Sequence, residues 1–544
     1  MAVLIVPPLD LSYPTLGPLV CDWIEENCVF GPGSLQGQPA KLDREKRAFI
    51  YRAYELHPRN HHLAGTRHFQ RCALEWRKGT AKSEIGAWIT YAELADDAPV
   101  RFDGWDAAGN PVGRPVNSPY IPMLAVTAEQ VEELMFAVLK VVVENSPNAD
   151  QYAITNEKIT RLDQFGRPDG DAVPVSNAPG QRDGARTTFS PVDEPHRLYL
   201  PRQREAHETM VQNLHKRQLE DPWMLYVSTA GRAGQGSIQE DLRGEAEEIE
   251  KGQREDPTLF FVSRWAGAEF KSLETVEDRI AAVADATGPI GEWGLGQFER
   301  IARDYDRKGI DRAYWERVWL NRWRAGDSQA FDMLRVRELK TDTKIPDKAF
   351  VALGFDGARF KDATALTAVD IETGVSELLG VWERPVDAED WTVPEDEVTQ
   401  LIADTMKRYK VWRMYCDPPH WIETVAGWST RWPNKVIEHF TARHRQFAFE
   451  TRALLEAIDS GAITFGDNAF RPDLLRHMSN TGKKELKIRD DQGHPLWVPC
   501  KADGRLEDKI DASVSLILAW TAALDARRSG AKKPATTAMP FRIR

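Results

Sequence analysis

Two acidic clusters, each closing an apolar run, are the residues of this chain best placed to do chemistry: Asp193-Glu194 after Val192, and Asp356 after Gly354-Phe355. An Asp-Glu pair at a strand end suits a Mg²⁺ carboxylate and a base that activates water, provided a phosphate-cradling loop lies upstream. The candidate loop is Trp76-Arg77-Lys78-Gly79-Thr80-Ala81-Lys82-Ser83, followed by Glu84 and the apolar run Ile85-Gly86-Ala87-Trp88-Ile89. In a P-loop the backbone N–H groups wrap the phosphates, a Lys reaches the terminal phosphates and a Ser or Thr hydroxyl binds Mg²⁺, which are the places of Lys82 and Ser83. The glycines usual before that Lys are replaced by Ala81 and Trp76, leaving Gly79 as the loop's glycine. Pattern alone therefore also fits a polar turn capping a helix. Context favours the P-loop, because a short strand is predicted at Cys72–Trp76 and a helix after the loop.

The second cluster has companions. Asp356 ends a predicted strand at 349–355, Asp417 ends another at 411–416, and Asp511 shares a face of a predicted helix, 507–527, with Val514 and Leu518. If the two strands are neighbours and the helix packs across their ends, three carboxylates converge. Such a cluster is costly unless cations neutralise it, and two Mg²⁺ or Mn²⁺ about 4 Å apart would also activate water for in-line attack. Asp362 is a candidate fourth ligand or water-orienting group, and Asp508 competes with Asp511 as the third ligand. Singly, each acid also reads as a turn residue, a strand terminator or a first-turn acid.

These residues need two domains to position them. The chain has 544 residues, 42% hydrophobic and 28% charged, ordinary for a globular protein of two or three domains. Five scattered cysteines without a C-x-x-C pair point to reduced thiols and against a disulfide framework or zinc site. The apolar start is rich in proline and lacks a basic n-region, a poor signal peptide, and no run has the length of a membrane span. A formal net charge of −12 gives no support for nucleic-acid binding, although basic residues can cluster locally.

Residues 1–45 read as a lead-in punctuated by Pro and Gly. Residues 46–325 alternate strand and helix: the P-loop unit, a strand at 120–126, a helix at 128–144, strands at 172–176 and 188–194, a helix at 201–214 and a strand at 223–229, implying a parallel α/β sheet. Residues 240–325 lean towards helix, with pieces at 243–250, 276–286 and 311–324. The stretch 326–348 reads as a linker. From 349 to 527, strands at 349–355, 364–371 and 376–382 form a meander turning at Thr373-Gly374, and helices then alternate with strands at 411–416, 436–440 and 463–465. That is the order of an RNase H-like fold. Residues 528–544 form a basic tail, expected as solvated and flexible.

At this point the chain resembles the large terminase subunit of tailed bacteriophages over roughly residues 45–525. The resemblance rests on the order of Arg77-Lys78-Gly79-Thr80-Ala81-Lys82-Ser83, Val192-Asp193-Glu194-Pro195-His196, Ser228-Thr229-Ala230, Gly354-Phe355-Asp356 with Asp362-Ala363-Thr364-Ala365-Leu366, Tyr415-Cys416-Asp417-Pro418-Pro419, and Lys509-Ile510-Asp511-Ala512. It implies an ATPase domain of the additional-strand class, a C-terminal RNase H-like nuclease using two Mg²⁺ or Mn²⁺, and ATP with Mg²⁺ in the first domain. It further implies double-stranded DNA, a portal protein and a small terminase subunit as partners, a homo-oligomeric ring on the portal, no membrane, and action in the cytoplasm of an infected bacterium. By the same resemblance Lys82 meets the β- and γ-phosphates, Ser83 and Asp193 hold Mg²⁺, Glu194 activates water, and Ser228-Thr229-Ala230 senses the γ-phosphate and couples its loss to DNA. Arg77 is a candidate arginine finger, in cis or towards a neighbouring subunit, or a phosphate contact or loop cap. The loop Gln181-Arg182-Asp183-Gly184-Ala185-Arg186 reads as a solvated turn or as a contact to DNA or nucleotide. Two other readings stand beside this one: a stand-alone RNase H-like nuclease with a non-hydrolysing N-terminal half, and a helicase-like ATPase with a degenerate C-terminal domain.

Overall fold

The structure is a computed structural model that describes residues 2–124, 135–175, 185–308, 310–324, 329–359, 362–385, 391–489, 495–502 and 508–533. It divides into two compact units, Met1–Arg232 with Ser237–Arg324, and Ala233–Gly236 with Ala325–Arg544.

The first unit is built on a nine-stranded sheet. In chain order its strands are β1 (Ala2–Val6), β2 (Arg71–Glu75), β5 (Tyr120–Leu124), β6 (Tyr152–Ile154), β7 (Ile159–Leu162), β8 (Pro168–Val175), β9 (Phe189–Asp193), β10 (Trp223–Ser228) and β11 (Leu259–Trp265), while β3 (Arg101–Trp105) and β4 (Pro111–Arg114) form a separate hairpin. Spatially the order is β1-β11-β2-β10-β9-β5-β8-β7-β6. The central strands β11, β2, β10, β9, β5 and β8 run parallel. β10 therefore stands between the P-loop strand β2 and the acidic strand β9, the arrangement of the additional-strand class. β2, β9 and β10 are buried almost throughout, as parallel strands covered on both faces must be. The helix Lys82–Leu94 is buried on every side from Ile85 onwards, so it is a core helix with no solvated stripe. Gly86 of this helix sits against the end of the Met135 side chain of the helix Met135–Glu144.

Residues 1–45 differ from the expected lead-in. β1 pairs antiparallel with β11, and a helix spans Gly17–Asn27 with Val20, Cys21 and Ile24 in the core. β11 itself lies inside the stretch read as mostly helical. Its Leu-Phe-Phe-Val run has no alternation because both faces are covered, and such a run cannot be told from buried helix by period. The expected helix at 128–144 is described only as Met135–Glu144; residues 128–134 and most of the loop at 181–186 (181–184) lie outside the described residues, as do Glu507 and 534–544 of the tail.

The second unit carries a six-stranded sheet of β12 (Phe350–Gly357), β13 (Thr364–Asp370), β14 (Val375–Trp382), β15 (Lys410–Cys416), β16 (Val436–Glu438) and β17 (Thr464–Phe465), in the order β16-β15-β12-β13-β14-β17. β12, β13 and β14 form the antiparallel meander, and β15 and β16 continue parallel on the β12 side, the RNase H-like order. The helix Asp511–Arg528 lies across β12 and β13 and is buried through most of its length. Gly354 permits that approach, because a Cβ there would overlap Ser515 O and Ala519 N. The approach is closed by the Ser515 hydroxyl, which donates to Gly354 O (2.9 Å) and meets Thr367 Oγ1 (2.7 Å). The stretch read as a linker is partly structured: a helix spans Met333–Glu338, and Phe331, Met333, Val336 and Ile345 are buried in the cores of this unit. The residue pattern gave no sign of a hairpin that joins β18 (Thr481–Arg489) to β19 (Pro495–Lys501). Among the described residues no helix is long and apolar enough to cross a membrane.

Candidate nucleotide and metal sites

In the first unit the chemistry-bearing residues gather at the C-terminal ends of three adjacent parallel strands. β2 runs into the loop at Trp76, whose N–H donates to Ser228 O at the end of β10 (3.1 Å). The loop turns through two left-handed residues, Gly79 (φ 83°) and Ala81 (φ 61°), before the helix begins at Lys82. Lys82 Nζ donates back to Arg77 O (2.8 Å), and Thr80 Oγ1 donates to the same carbonyl (3.0 Å). Burial brings the Lys82 ammonium down to about 7, opposed by the nearby Glu194 and Asp193. Asp193, the last residue of β9, is raised to about 7 by burial and by Glu194, with Lys82 opposing. The two groups therefore face each other as an under-solvated pair. Asp193 Oδ2 is buried with no hydrogen-bond partner among the described residues, an orphaned acceptor of the kind a hard cation satisfies. Ser83, a half-buried residue in the first turn of the helix, and Asp193 fit Mg²⁺ by donor type.

Glu194 leaves the strand in a left-handed conformation (φ 49°), its N–H donating to Val227 O (3.0 Å) and its Oε2 accepting from Arg197 Nε (2.8 Å). Arg197 thus restrains one oxygen of the Glu194 carboxylate. Next to it, His196 Nδ1 meets Ser228 Oγ (3.1 Å), and burial keeps this imidazole far below its usual value and hence neutral. Ser228 Oγ donates to Thr229 O (2.9 Å), and Ala230 N donates to Asn321 Oδ1 (2.7 Å). Asn321 Nδ2 donates in turn to Glu75 O (3.0 Å) and Arg264 O (2.8 Å). One amide thus joins the ends of β2 and β11 to the segment after β10. Sequence reasoning missed it by running a helix through 311–324; the helix is Arg312–Leu320, and Asn321, in the left-handed region (φ 52°), is its C-cap.

Arg77 is fully buried. Its Nε donates to Thr287 Oγ1 (2.5 Å), another nitrogen to Lys78 O (2.6 Å), and its guanidinium lies 4.0 Å from the Trp293 ring. The side chain is held within its own unit, against the segment following the helix Val276–Thr287.

In the second unit Asp356, Asp417 and Asp511 come to one end of the sheet. β12 and β15 are parallel neighbours, and Asp417 N donates to Phe355 O (3.0 Å), fixing Asp417 beside Asp356. Asp511 is the first residue of the crossing helix. Burial, then Asp511, Asp417 and Asp362, push the Asp356 carboxyl far above the carboxylate range; burial also raises Asp511 and Asp417. Asp417 is tied to Thr441, whose hydroxyl donates to Oδ2 (2.6 Å). Asp356, Asp362 and Asp511 line a cavity of about 390 Å³ with Thr441, His444 and Lys501. Among the described residues no group of three His, Cys, Asp or Glu side chains is arranged to hold a metal ion. The donor set nevertheless fits Mg²⁺ or Mn²⁺ in kind, because mutual repulsion among buried carboxylates is what a hard divalent cation relieves.

Asp362 is placed differently from an open ligand. It accepts from Lys501 Nζ (2.5 Å) and Lys509 Nζ (3.2 Å), and these cations outweigh its burial and hold it below the usual carboxylate value. Asp508 is buried, as Asp511 is; neither Asp508 nor Asp417 lines the cavity. Two supporting residues escaped the sequence reading. His477, fully buried, accepts from Ala512 N at Nδ1 (3.0 Å) and meets Glu383 Oε1 at Nε2 (2.6 Å). Burial pushes Glu383 up, but His477 and Arg476 outweigh it and bring it to about 2. This chain of bonds fixes the first turn that carries Asp511, and a lone His at 477 gives no signal in sequence.

No protein-family profile matches the chain. Among curated proteins it is similar to the Gene 13 protein of Mycobacterium phage L5, 21% identical over 500 residues that cover 82% of this chain and 79% of that protein. The Gene 13 protein of Mycobacterium phage D29 is 20% identical over 500 residues, covering 82% and 78%. Among solved structures it is similar to the HK97 bacteriophage large terminase, with 17% identity and a TM-score of 0.46 over 93% of this chain and 99% of that one. The large terminase nuclease of thermophilic phage G20c matches 36% of this chain and 98% of its own length, with 14% identity and a TM-score of 0.26. Both of these solved structures come from phage large terminases.

Proposed function

We propose that this chain is a large terminase subunit: ATP hydrolysis in the first unit drives double-stranded DNA through a portal into a procapsid, and the second unit cuts the concatemeric genome. The observation that carries the reading is the pairing, in one chain, of Lys82 opposite Asp193-Glu194 across an additional strand with three aspartates at one end of an RNase H-like sheet. In the first unit Lys82 binds the β- and γ-phosphates, Ser83 and Asp193 hold Mg²⁺, and Glu194 takes a proton from the attacking water. Arg77 serves as an arginine finger, in cis or towards a neighbouring copy, or as a phosphate contact or cap of its own loop, and Ser228-Thr229-Ala230, through Asn321, carries loss of the γ-phosphate to the strand ends. In the second unit Asp356, Asp417 and Asp511 would hold two Mg²⁺ or Mn²⁺, which would supply charge neutralisation and an activated water. The partners under this reading are double-stranded DNA, a portal protein, a small terminase subunit and further copies of the chain in a ring, in the cytoplasm of an infected bacterium.

Two substitutions separate the roles in the motor. Lys82→Ala should abolish turnover and weaken nucleotide binding together. Glu194→Gln keeps shape and should retain nucleotide while losing about 10²–10⁴-fold in hydrolysis, the range for a general base. Wild-type turnover in Glu194→Gln would reassign the base.

A further inference from the structure

A second cleft, of about 590 Å³, opens beside the carboxylate cavity and shares His444 with it; Arg443, Arg445, Gln446, Phe449 and Ile488 complete its lining. Its composition is unusual for this chain. From His439 to Phe449 there is no carboxylate, although the protein carries a formal net charge of −12. Arg443, His444 and Arg445 are exposed, and between them Phe449 (40% exposed) and Ile488 (41%) present apolar surface. Two acids, Glu438 and Glu450, flank this run, and Glu450 Oε1 meets His439 Nε2 (2.9 Å) and accepts from Gln446 Nε2 (2.9 Å). The arginines lie at the start of the helix His444–Ser460, whose dipole adds positive potential. Thr441, three residues before His444, is the group that holds Asp417.

Cations flanking exposed aromatic and aliphatic surface, beside a cavity lined by carboxylates, fit a nucleic-acid strand. Phosphates are drawn to guanidinium groups, while sugar and base faces lie on the apolar floor. We propose that this cleft holds the DNA strand flanking the scissile phosphate, with Arg443 and Arg445 on its backbone phosphates and Phe449 with Ile488 under an unstacked base. The inference rests on the nuclease reading of the second unit and adds a substrate subsite to it. His444, common to both cavities, marks the point where the strand passes from cleft to carboxylates.

The test uses the full chain carrying Arg443→Glu with Arg445→Glu, the charge-keeping Arg443→Lys with Arg445→Lys, and Phe449→Ala, each checked for an unchanged melting temperature. DNA binding is read in EDTA by anisotropy with a short duplex bearing a single-stranded end. Cleavage in Mn²⁺ is read as the DNA concentration giving half-maximal rate. The double reversal should raise that concentration, or the Kd, at least tenfold and reduce the salt slope of binding by about two, one for each phosphate that is no longer neutralised. The Lys pair should recover most of the affinity. Phe449→Ala should weaken the duplex with a single-stranded end more than a blunt duplex. Unchanged Kd and half-saturating concentration in the double reversal would overturn the proposal, as would a fall in maximal rate alone. Failure of the nuclease reading is distinguishable: there wild-type protein binds DNA through Arg443 and Arg445 but cuts nothing, and Asp356→Ala differs from it in neither respect.

Discussion

Asp356 illustrates how a single side chain can be unfavourable to the apoprotein and still organise a site. Its carboxyl is raised by burial and by Asp511, Asp417 and Asp362, so its folded form holds a proton that the unfolded chain has already released. Stability is therefore lost as pH rises from the ordinary carboxylate range through the raised folded value. Asp356→Asn should raise the melting temperature of metal-free protein at neutral pH, where about 1 kcal/mol corresponds to roughly 2–4 °C for a unit of this size. Mn²⁺ should stabilise the wild type and not the variant, as read by thermal melts with and without EDTA; equal responses would remove the metal from the site. The Lys82–Asp193 pair makes a complementary case. Asp193, raised from 3.8 to about 7, costs stability progressively between those values, and Lys82, lowered from 10.5 to about 7, returns it as pH climbs from 7 towards 10.5. Nucleotide-free protein should show a shallow stability minimum near pH 7. Asp193→Asn should flatten the acid limb and Lys82→Met the alkaline limb of melting temperature against pH.

At the level of elements, the approach of the helix Asp511–Arg528 to β12 sets how near Asp511 lies to Asp356. Gly354→Ala places a methyl against Ser515 O and Ala519 N, both backbone. Relieving that overlap should cost roughly 1–3 kcal/mol, the usual range for overpacking. Because the helix must retreat, DNA cutting should fall by more than the stability loss explains while ATP turnover is retained; full cutting in a folded Gly354→Ala protein would show that the close approach is dispensable. These elements also mark what the residue pattern could and could not convey. β9, β10, β12 and β15 were legible because each is an apolar run ending in a polar residue at a turn, so Asp193, Asp356 and Asp417 could be assigned to strand ends from local pattern alone. β1 and β11 were not, because their pairing joins residues far apart in the chain and β11 lacks alternation. The Lys501 and Lys509 clamp on Asp362, the Asn321 bridge and the Glu383–His477 support depend on tertiary neighbours that no spacing rule encodes, and Lys501 belongs to the β18–β19 hairpin, of which the residue pattern gave no sign.

For the whole molecule, the two proposed chemistries fall in two separate compact units. Asp356→Ala should abolish plasmid cutting in Mg²⁺ or Mn²⁺ while leaving ATP turnover without DNA within about twofold, since its partners all lie in the second unit. The double variant Asp356→Ala with Asp417→Ala should be little worse than either alone, because groups acting as one site fail together. A parallel collapse of ATPase activity would tie the two units more closely than their separate cores require. The first unit also carries a dependence that is easily broken by protein engineering. β1 contributes only Ala2–Val6, yet it seals the hydrogen-bonding edge of β11, the neighbour of the P-loop strand. Deleting residues 1–6 alone, which keeps the helix Gly17–Asn27 in the core, bares that edge along Phe261 to Trp265. Bare edges recruit one another, so such a protein should self-associate with concentration in light scattering and lose ATP turnover with time, although every residue of the phosphate loop is intact.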